Sequence, residues 1–98
     1  MGRQVTWSGR ASRDVSDIYE YISKDSPEVA MRLALRLYSA VDRLTDFPAS
    51  GRSMPERPGV REVVVAPYRI AYVRNGDDIE ILAVYHGARL IRPQDLPS

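Results

Sequence analysis

Between Gly9 and Lys24 the apolar residues fall at Ala11, Val15, Ile18, Tyr19 and Ile22. On a helix this spacing gathers them into one stripe roughly 100° wide. The opposite face carries Arg10, Arg13, Asp14, Asp17, Glu20 and Lys24. Arg10–Asp14, Arg13–Asp17 and Glu20–Lys24 are i,i+4 pairs, so this face is expected in solvent with mild helix support. Ser8 or Ser12 suits the N-cap, and Gln4-Val5-Thr6-Trp7 ahead of it reads as a short strand. Asp25-Ser26-Pro27-Glu28 ends the first helix and starts a second. Ser26 suits the cap, Pro27 the first helical position and Glu28 the positive end of the dipole. The second helix should run to about Asp46. Its main stripe is Ala30, Leu33, Ala34, Leu37, Val41 and Leu44, with a second apolar row at Met31, Leu35 and Tyr38. Apolar residues then cover about two thirds of its circumference, more than one buried face needs. Either the helix touches both a sheet and the first helix, or it keeps apolar surface for another chain.

Pro48 to Gly59 holds three prolines and two glycines and reads as loop. Three strands follow, over Val60–Ala66, Tyr68–Arg74 and Ile79–His86. Asn75-Gly76 signals a hairpin between the last two, with a loop that Asp77-Asp78 can lengthen. Pro67 predicts a tight, bulged connection between the first two. The tail from Arg89 to Ser98 is expected to be extended or a short turn. The fold class is therefore α+β: one domain over residues 1–98, with an N-terminal strand and helical hairpin packed on a C-terminal antiparallel β-meander. In the last strand, a period of two puts Ile79, Ile81, Ala83 and Tyr85 toward the helices and Glu80, Leu82, Val84 and His86 away from them. The neighbouring strand turns Tyr68, Ile70 and Tyr72 inward and Arg69 outward. His86 and Arg69 are then expected to share the uncovered sheet face.

Composition narrows the chemistry. The 98 residues contain no cysteine, so disulfides, thiolate metal sites and thiol nucleophiles are excluded. One histidine and scattered carboxylates make a poor metal site, and no glycine-rich phosphate loop is present. No cofactor is expected. No apolar run reaches the ~18 residues of a membrane span, and the N-terminus lacks the apolar core of a signal peptide. A cytoplasmic protein is expected. The formal net charge is only +1, with thirteen arginines and Lys24 on the cationic side. A protein that lives on nucleic acid usually carries a larger basic excess. The charge is uneven, however: five arginines lie between Arg52 and Arg74, opposed only by Glu56 and Glu62.

The single histidine sits in VYHGARL, Val84 to Leu90. Its plainer reading is a strand-end histidine held by backbone hydrogen bonds, with Gly87 supplying a positive-φ turn. Arg69 can brace the sheet through Glu62 or Glu80. Arg52 and Arg57 lie in a loop, where functional residues concentrate but solvated ones are commoner.

The ordered series formed by Ala11, Asp14, Ile18, Tyr21 and Ile22, then SPEVA, FPASGRSMPE, GVREVVV, PYRIAYV and IEILAVYHGAR spans nearly the whole chain. It resembles the RelE/ParE superfamily, the toxins of type II toxin–antitoxin (plasmid stabilisation) modules. PASGR from Pro48, GVRE from Gly59 and HGAR from His86 look most like the ParE branch. That resemblance implies an inhibitor of DNA gyrase, neutralised by a small ParD-like antitoxin whose C-terminal segment fills the toxin's apolar grooves. It implies operator DNA as a partner only through the antitoxin. Arg52, Arg57, His86 and Arg89 are then the candidate target contacts, and Met31, Leu35 and Tyr38 the candidate antitoxin contacts. No catalytic residue is favoured. The RelE branch implies the alternative, cleavage of mRNA on the ribosome, with Arg69, Tyr85, His86 and Arg89 as the catalytic set. A member with weak toxicity, serving mainly an operator-binding complex, is a third reading.

Overall fold

The computed structural model describes residues 4–88 and 92–97. In chain order it comprises β1 (Val5–Trp7), α1 (Gly9–Ser23), α2 (Pro27–Asp46), β2 (Arg52–Ser53), β3 (Arg61–Val65), β4 (Tyr68–Asn75), β5 (Asp78–His86) and a 3-10 turn (Pro93–Asp95). Both helix starts follow the side-chain chemistry of their caps. The Ser8 hydroxyl accepts from the Ala11 N–H at 3.0 Å and donates to the Leu82 carbonyl at 2.8 Å, tying α1 to β5 as it caps it. Ser26 caps α2 by accepting from the Val29 N–H. Of the three i,i+4 pairs expected on α1, Arg10–Asp14 alone closes as an ion pair among the described residues.

The sheet order is β1-β5-β4-β3-β2. The strands β3, β4 and β5 form the expected antiparallel meander, and β1 joins β5 in parallel, Val5 opposite Ile79. The loop expected over 48–59 contains a strand after all: Arg52 and Ser53 pair with Glu62 and Arg61. Val65 pairs with Tyr68, so Ala66-Pro67 closes β3 to β4 as a two-residue turn with no bulge. The β4–β5 loop is also only two residues, because Asn75 pairs with Asp78. Gly76 takes φ +65° at its first position, where a side chain would be strained.

The bulge lies elsewhere. Ala71 pairs with Ala83, but Tyr72 pairs with Ile81, so Leu82 is an extra residue in β5. Up to Ile81 the expected alternation holds, with Ile79 and Ile81 in the helix-side core beside Leu37, Val41 and Leu44. Past Leu82 the faces exchange. Val84 packs toward the helices, while Leu82, Ala83 and Tyr85 enter a second core on the far face with Met54, Val60 and Leu96. The expected placement of Ala83 and Tyr85 inward and of Val84 and His86 outward is therefore corrected, since one inserted residue shifts the side-chain period by a step.

The far face is not bare. The 54–60 segment and the tail cover it. Arg57 donates from Nη1 to the Leu96 and Pro97 carbonyls at 3.1 and 2.6 Å, and Arg10 Nη1 donates to the Asp95 carbonyl at 2.9 Å. Asp14 accepts the Val84 N–H at 2.9 Å, satisfying a β5 donor beyond the end of β1.

Candidate functional site

The far face holds the main charged cluster among the described residues. Glu62, Arg69 and Tyr85 reach it by strand register: Glu62 pairs with Ala71, and Arg69 lies between Val64 and Tyr85 on the neighbouring strands. Glu62 is 1% exposed. Its Oε1 accepts from Arg52 Nε at 2.7 Å. Its Oε2 accepts from Arg69 Nε at 2.8 Å, from Arg69 Nη2, and from the Tyr85 hydroxyl at 3.3 Å. The Arg69 guanidinium carbon also lies 5.1 Å from the Tyr85 ring centroid. Glu56 approaches from the covering segment, with one oxygen 3.7 Å from Arg69 Nη2 and the other, Oε1, without a hydrogen-bond partner.

The electrostatics follow from burial and pairing. Burial alone would raise the Glu62 carboxyl, but hydrogen bonds from Arg69 and then Arg52, with the charges of both, outweigh it and hold the group below its ordinary value. Burial pushes the Tyr85 phenol up to about 12, and the Arg69 charge opposes this only in part. Burial pulls the Arg69 guanidinium down, but the Glu62 hydrogen bond and the charges of Tyr85, Glu62 and Glu56 together outweigh it and leave it raised.

A pH prediction follows. Tyr85 titrates higher in the folded chain than in the unfolded one, where its value is 10.0. Its contribution is complete below pH 10 and is lost as pH rises through the folded value. A difference of this size corresponds to about 3 kcal/mol lost at high pH. Urea unfolding between pH 9 and 12 should therefore show a steeper alkaline decline for the native chain than for Tyr85→Phe. Superimposable declines would contradict the burial of this phenol. At the acid end the sign reverses. Glu62 contributes above its unfolded value of 4.5, and the contribution is lost as pH falls through the depressed folded value.

The residues predicted from sequence divide into separate places. Arg69 and Tyr85 meet on the far face. His86 does not join them. It pairs with Tyr68 on the helix side of the sheet, edge-on to that ring at 5.7 Å, and is exposed. The expectation that His86 and Arg69 share a face is thus corrected, for the same reason as Tyr85. The His86 Nδ1 accepts the Ala88 N–H at 3.1 Å, as the plainer reading expects. Gly87, however, has no positive φ. Its smallness serves a close approach instead, since a Cβ there would lie 3.1 Å from the Pro67 carbonyl oxygen. Arg52 lies on β2 and pairs with Glu62 while staying 66% exposed, and Arg57 grips the tail, so neither is an unpartnered loop residue. Arg89 lies outside the described residues.

Met31, Leu35 and Tyr38 form the exposed row expected on α2, 53%, 58% and 49% exposed, with Tyr38 tilted against Trp7 at 5.3 Å between ring centroids. Phe47, just past α2, is also exposed, and so is Val64, on the far face of the sheet opposite Arg69. Arg69 braces the sheet through Glu62, one of the two carboxylates expected from sequence, while Glu56 and Leu96 had no place among the candidate residues. Glu62 alone carried a signal, as the one acidic residue in the run Arg61–Val65.

No helix is long and apolar enough to cross a membrane, and no group of three potential metal ligands occurs among the described residues. Residues 5–91 match the family model described as the ParE toxin of the type II toxin–antitoxin system parDE. The chain is 45% identical over 87 residues to Y4kP of Sinorhizobium fredii, covering 86% of this chain and 88% of that one. It is 42% identical over 88 residues to the toxin RelE2 of Caulobacter vibrioides, covering 89% and 98%. Among solved structures it is similar to a chain of the chromosomal ParDE toxin–antitoxin system from P. aeruginosa, with 26% identity, a TM-score of 0.73 and coverage of 86% and 95%.

Proposed function

Because the chain belongs to the ParE toxin family of type II toxin–antitoxin systems, we propose that it inhibits DNA gyrase by binding it and is neutralised by a cognate antitoxin. The module would act in the cytoplasm, stabilise the plasmid or locus that carries it, and reach operator DNA only through the antitoxin. The observation that carries the gyrase reading over RNA cleavage is the commitment of Arg69. Its guanidinium is held by a buried carboxylate, so it is not free to neutralise a phosphorane. Tyr85 is buried with a raised value, and the exposed histidine is across the sheet. A net charge of +1 also fits a protein target better than a ribosome.

In this reading Arg52, His86 and Arg89 contact the target, while Arg57 acts through the tail carbonyls it holds. Met31, Leu35 and Tyr38 contact the antitoxin. One observation favours the mRNA endonuclease alternative: Arg69 and Tyr85 are stacked together, as a nuclease face would have them.

The His86→Ala variant separates the two. As a general acid or base the side chain would contribute roughly 10²–10⁴-fold to cleavage. In a gyrase binder, loss of one exposed, edge-packed ring should change inhibition by less than about tenfold. Growth arrest and ribosome-dependent mRNA cleavage are measured with folded variant protein. Toxicity lost together with mRNA cleavage would reject the binding reading.

A further inference from the structure

Arg52 stands in solvent, yet it is held at both its backbone and its guanidinium. The Gly51 N–H before it donates to the Tyr72 hydroxyl at 3.0 Å, and the Gly51 carbonyl accepts from Arg61 Nη1 at 2.7 Å. Arg52 itself pairs with Glu62 across β2 and β3. Its Nε then donates to Glu62 Oε1 at 2.7 Å, while its two terminal nitrogens make no hydrogen bond among the described residues. The planar fork is thus anchored at Nε and open at its end.

Neutralising Glu62 does not account for this. Arg69, largely buried, already gives that carboxylate two hydrogen bonds, and the Tyr85 hydroxyl gives a third. A second pair, to so exposed a side chain, adds little stability and costs rotamer freedom. Its effect is on direction: it fixes where the open end of the fork points. An arginine immobilised beforehand loses less freedom on binding than a free one.

The surroundings select the acceptor. The end of a guanidinium fits the paired oxygens of a carboxylate or a phosphate. Val64, two residues along β3 from Glu62 and on the same face, is exposed and apolar. An acidic side chain flanked by apolar ones on a protein surface would meet both features. A sugar–phosphate backbone would meet only the guanidinium, and a formal charge of +1 gives nucleic acid little general attraction.

We propose, resting on the gyrase reading above, that buried Glu62 is the positioning residue that holds Arg52 as a preset clamp for a carboxylate side chain on the gyrase surface. In NMR relaxation spectra of the full chain, the Arg52 Nε–Hε signal is expected to be as ordered as the backbone of β3. Glu62→Gln should release it toward the mobility of a free side chain. Binding to purified gyrase is then measured with and without DNA. Arg52→Ala and Arg52→Lys change an exposed position, so both should fold, and each should weaken binding about tenfold or more whether or not DNA is present. Lysine keeps the charge but has neither the Nε anchor nor the fork, so the two variants should match. Glu62→Gln, with its folded fraction set by urea unfolding, should weaken binding about threefold to tenfold, the cost of ordering a freed side chain. Added to Arg52→Ala, it should weaken binding no further, whereas a merely structural loss would persist in that background.

A mobile Arg52 Nε in the native chain, native binding by Arg52→Lys, or a loss confined to DNA-bound gyrase would overturn the clamp. So would a Glu62→Gln effect of equal size with and without Arg52, or antitoxin binding lost in Arg52→Ala while gyrase binding is unchanged. If the native chain binds no gyrase, the gyrase reading fails and growth arrest in cells lacking antitoxin becomes the readout. Undiminished arrest by Arg52→Ala and Arg52→Lys would then overturn the clamp. Arrest weakened by both, with Glu62→Gln adding nothing to Arg52→Ala, would retain it on a different target.

Discussion

Arg69→Ala is expected to lower the unfolding free energy by about 3–5 kcal/mol, the usual cost of removing one partner from a buried ion pair. The reason is the position of Glu62. At 1% exposure it cannot turn to water, and after the change its remaining cation, Arg52, is 66% exposed and well solvated. The Tyr85 hydroxyl, 3.3 Å away, offers one neutral hydrogen bond. Urea denaturation at pH 7 measures the loss. The double variant Arg69→Ala/Glu62→Gln should recover part of it, because the uncompensated charge is then gone. A single-variant loss under about 1 kcal/mol would mean that Glu62 is not a buried carboxylate held by Arg69. This matters for reading toxicity. An Arg69→Ala variant that fails to arrest growth would be consistent with misfolding alone, so catalytic claims about Arg69 need a stability measurement beside them.

Tyr72→Ala is expected to cost about 3–5 kcal/mol, as large-to-small changes of buried aromatics do. Tyr72 is fully buried in the helix-side core, and its hydroxyl also does a second job. It accepts the Gly51 N–H at 3.0 Å and donates to the Pro48 carbonyl at 2.8 Å, fixing the turn that delivers β2 to β3. Tyr72→Phe isolates this job and should cost about 1–3 kcal/mol by orphaning two backbone groups. The same site explains why Gly51 is glycine: a Cβ would lie 2.6 Å from the Tyr72 hydroxyl and 2.8 Å from the Glu62 carbonyl oxygen. Since Arg52 follows directly, amide exchange at Arg52 and Ser53 should rise in Tyr72→Phe while the β4–β5 ladder stays protected. If β2 exchange is unchanged, the hydroxyl is not what holds that strand.

The helices were legible because their signals are local. Serine caps, the Pro27 start and apolar residues at helical spacing all lie within a few positions of one another, and both helices form where that spacing puts them. The meander was legible by the same logic. The face of Tyr85 was not. Nothing in Ile79–His86 marks Leu82 as an inserted residue, because every side chain from Ile81 to Tyr85 is apolar and both faces of β5 are covered. With no polar residue to reveal the parity, a strict alternation carried His86 to the wrong side. β2 was hidden too. Two residues in a proline- and glycine-rich segment become a strand only because Tyr72 and Arg61, both distant in sequence, hold the turn before them. The Arg69–Glu62 pair lay between these cases: the pairing of charges could be guessed from sequence, but the burial that makes it strong depends on the 54–60 segment and Leu96 covering the face.

The proposed inhibition of gyrase is decided by a supercoiling assay with purified protein free of antitoxin, run beside mRNA cleavage on stalled ribosomes. Supercoiling is expected to stop, linear DNA to accumulate and mRNA to stay intact. Gyrase left untouched while mRNA is cut in the ribosomal A site would contradict it, and would make the stacked Arg69 and Tyr85 the start of a nuclease site.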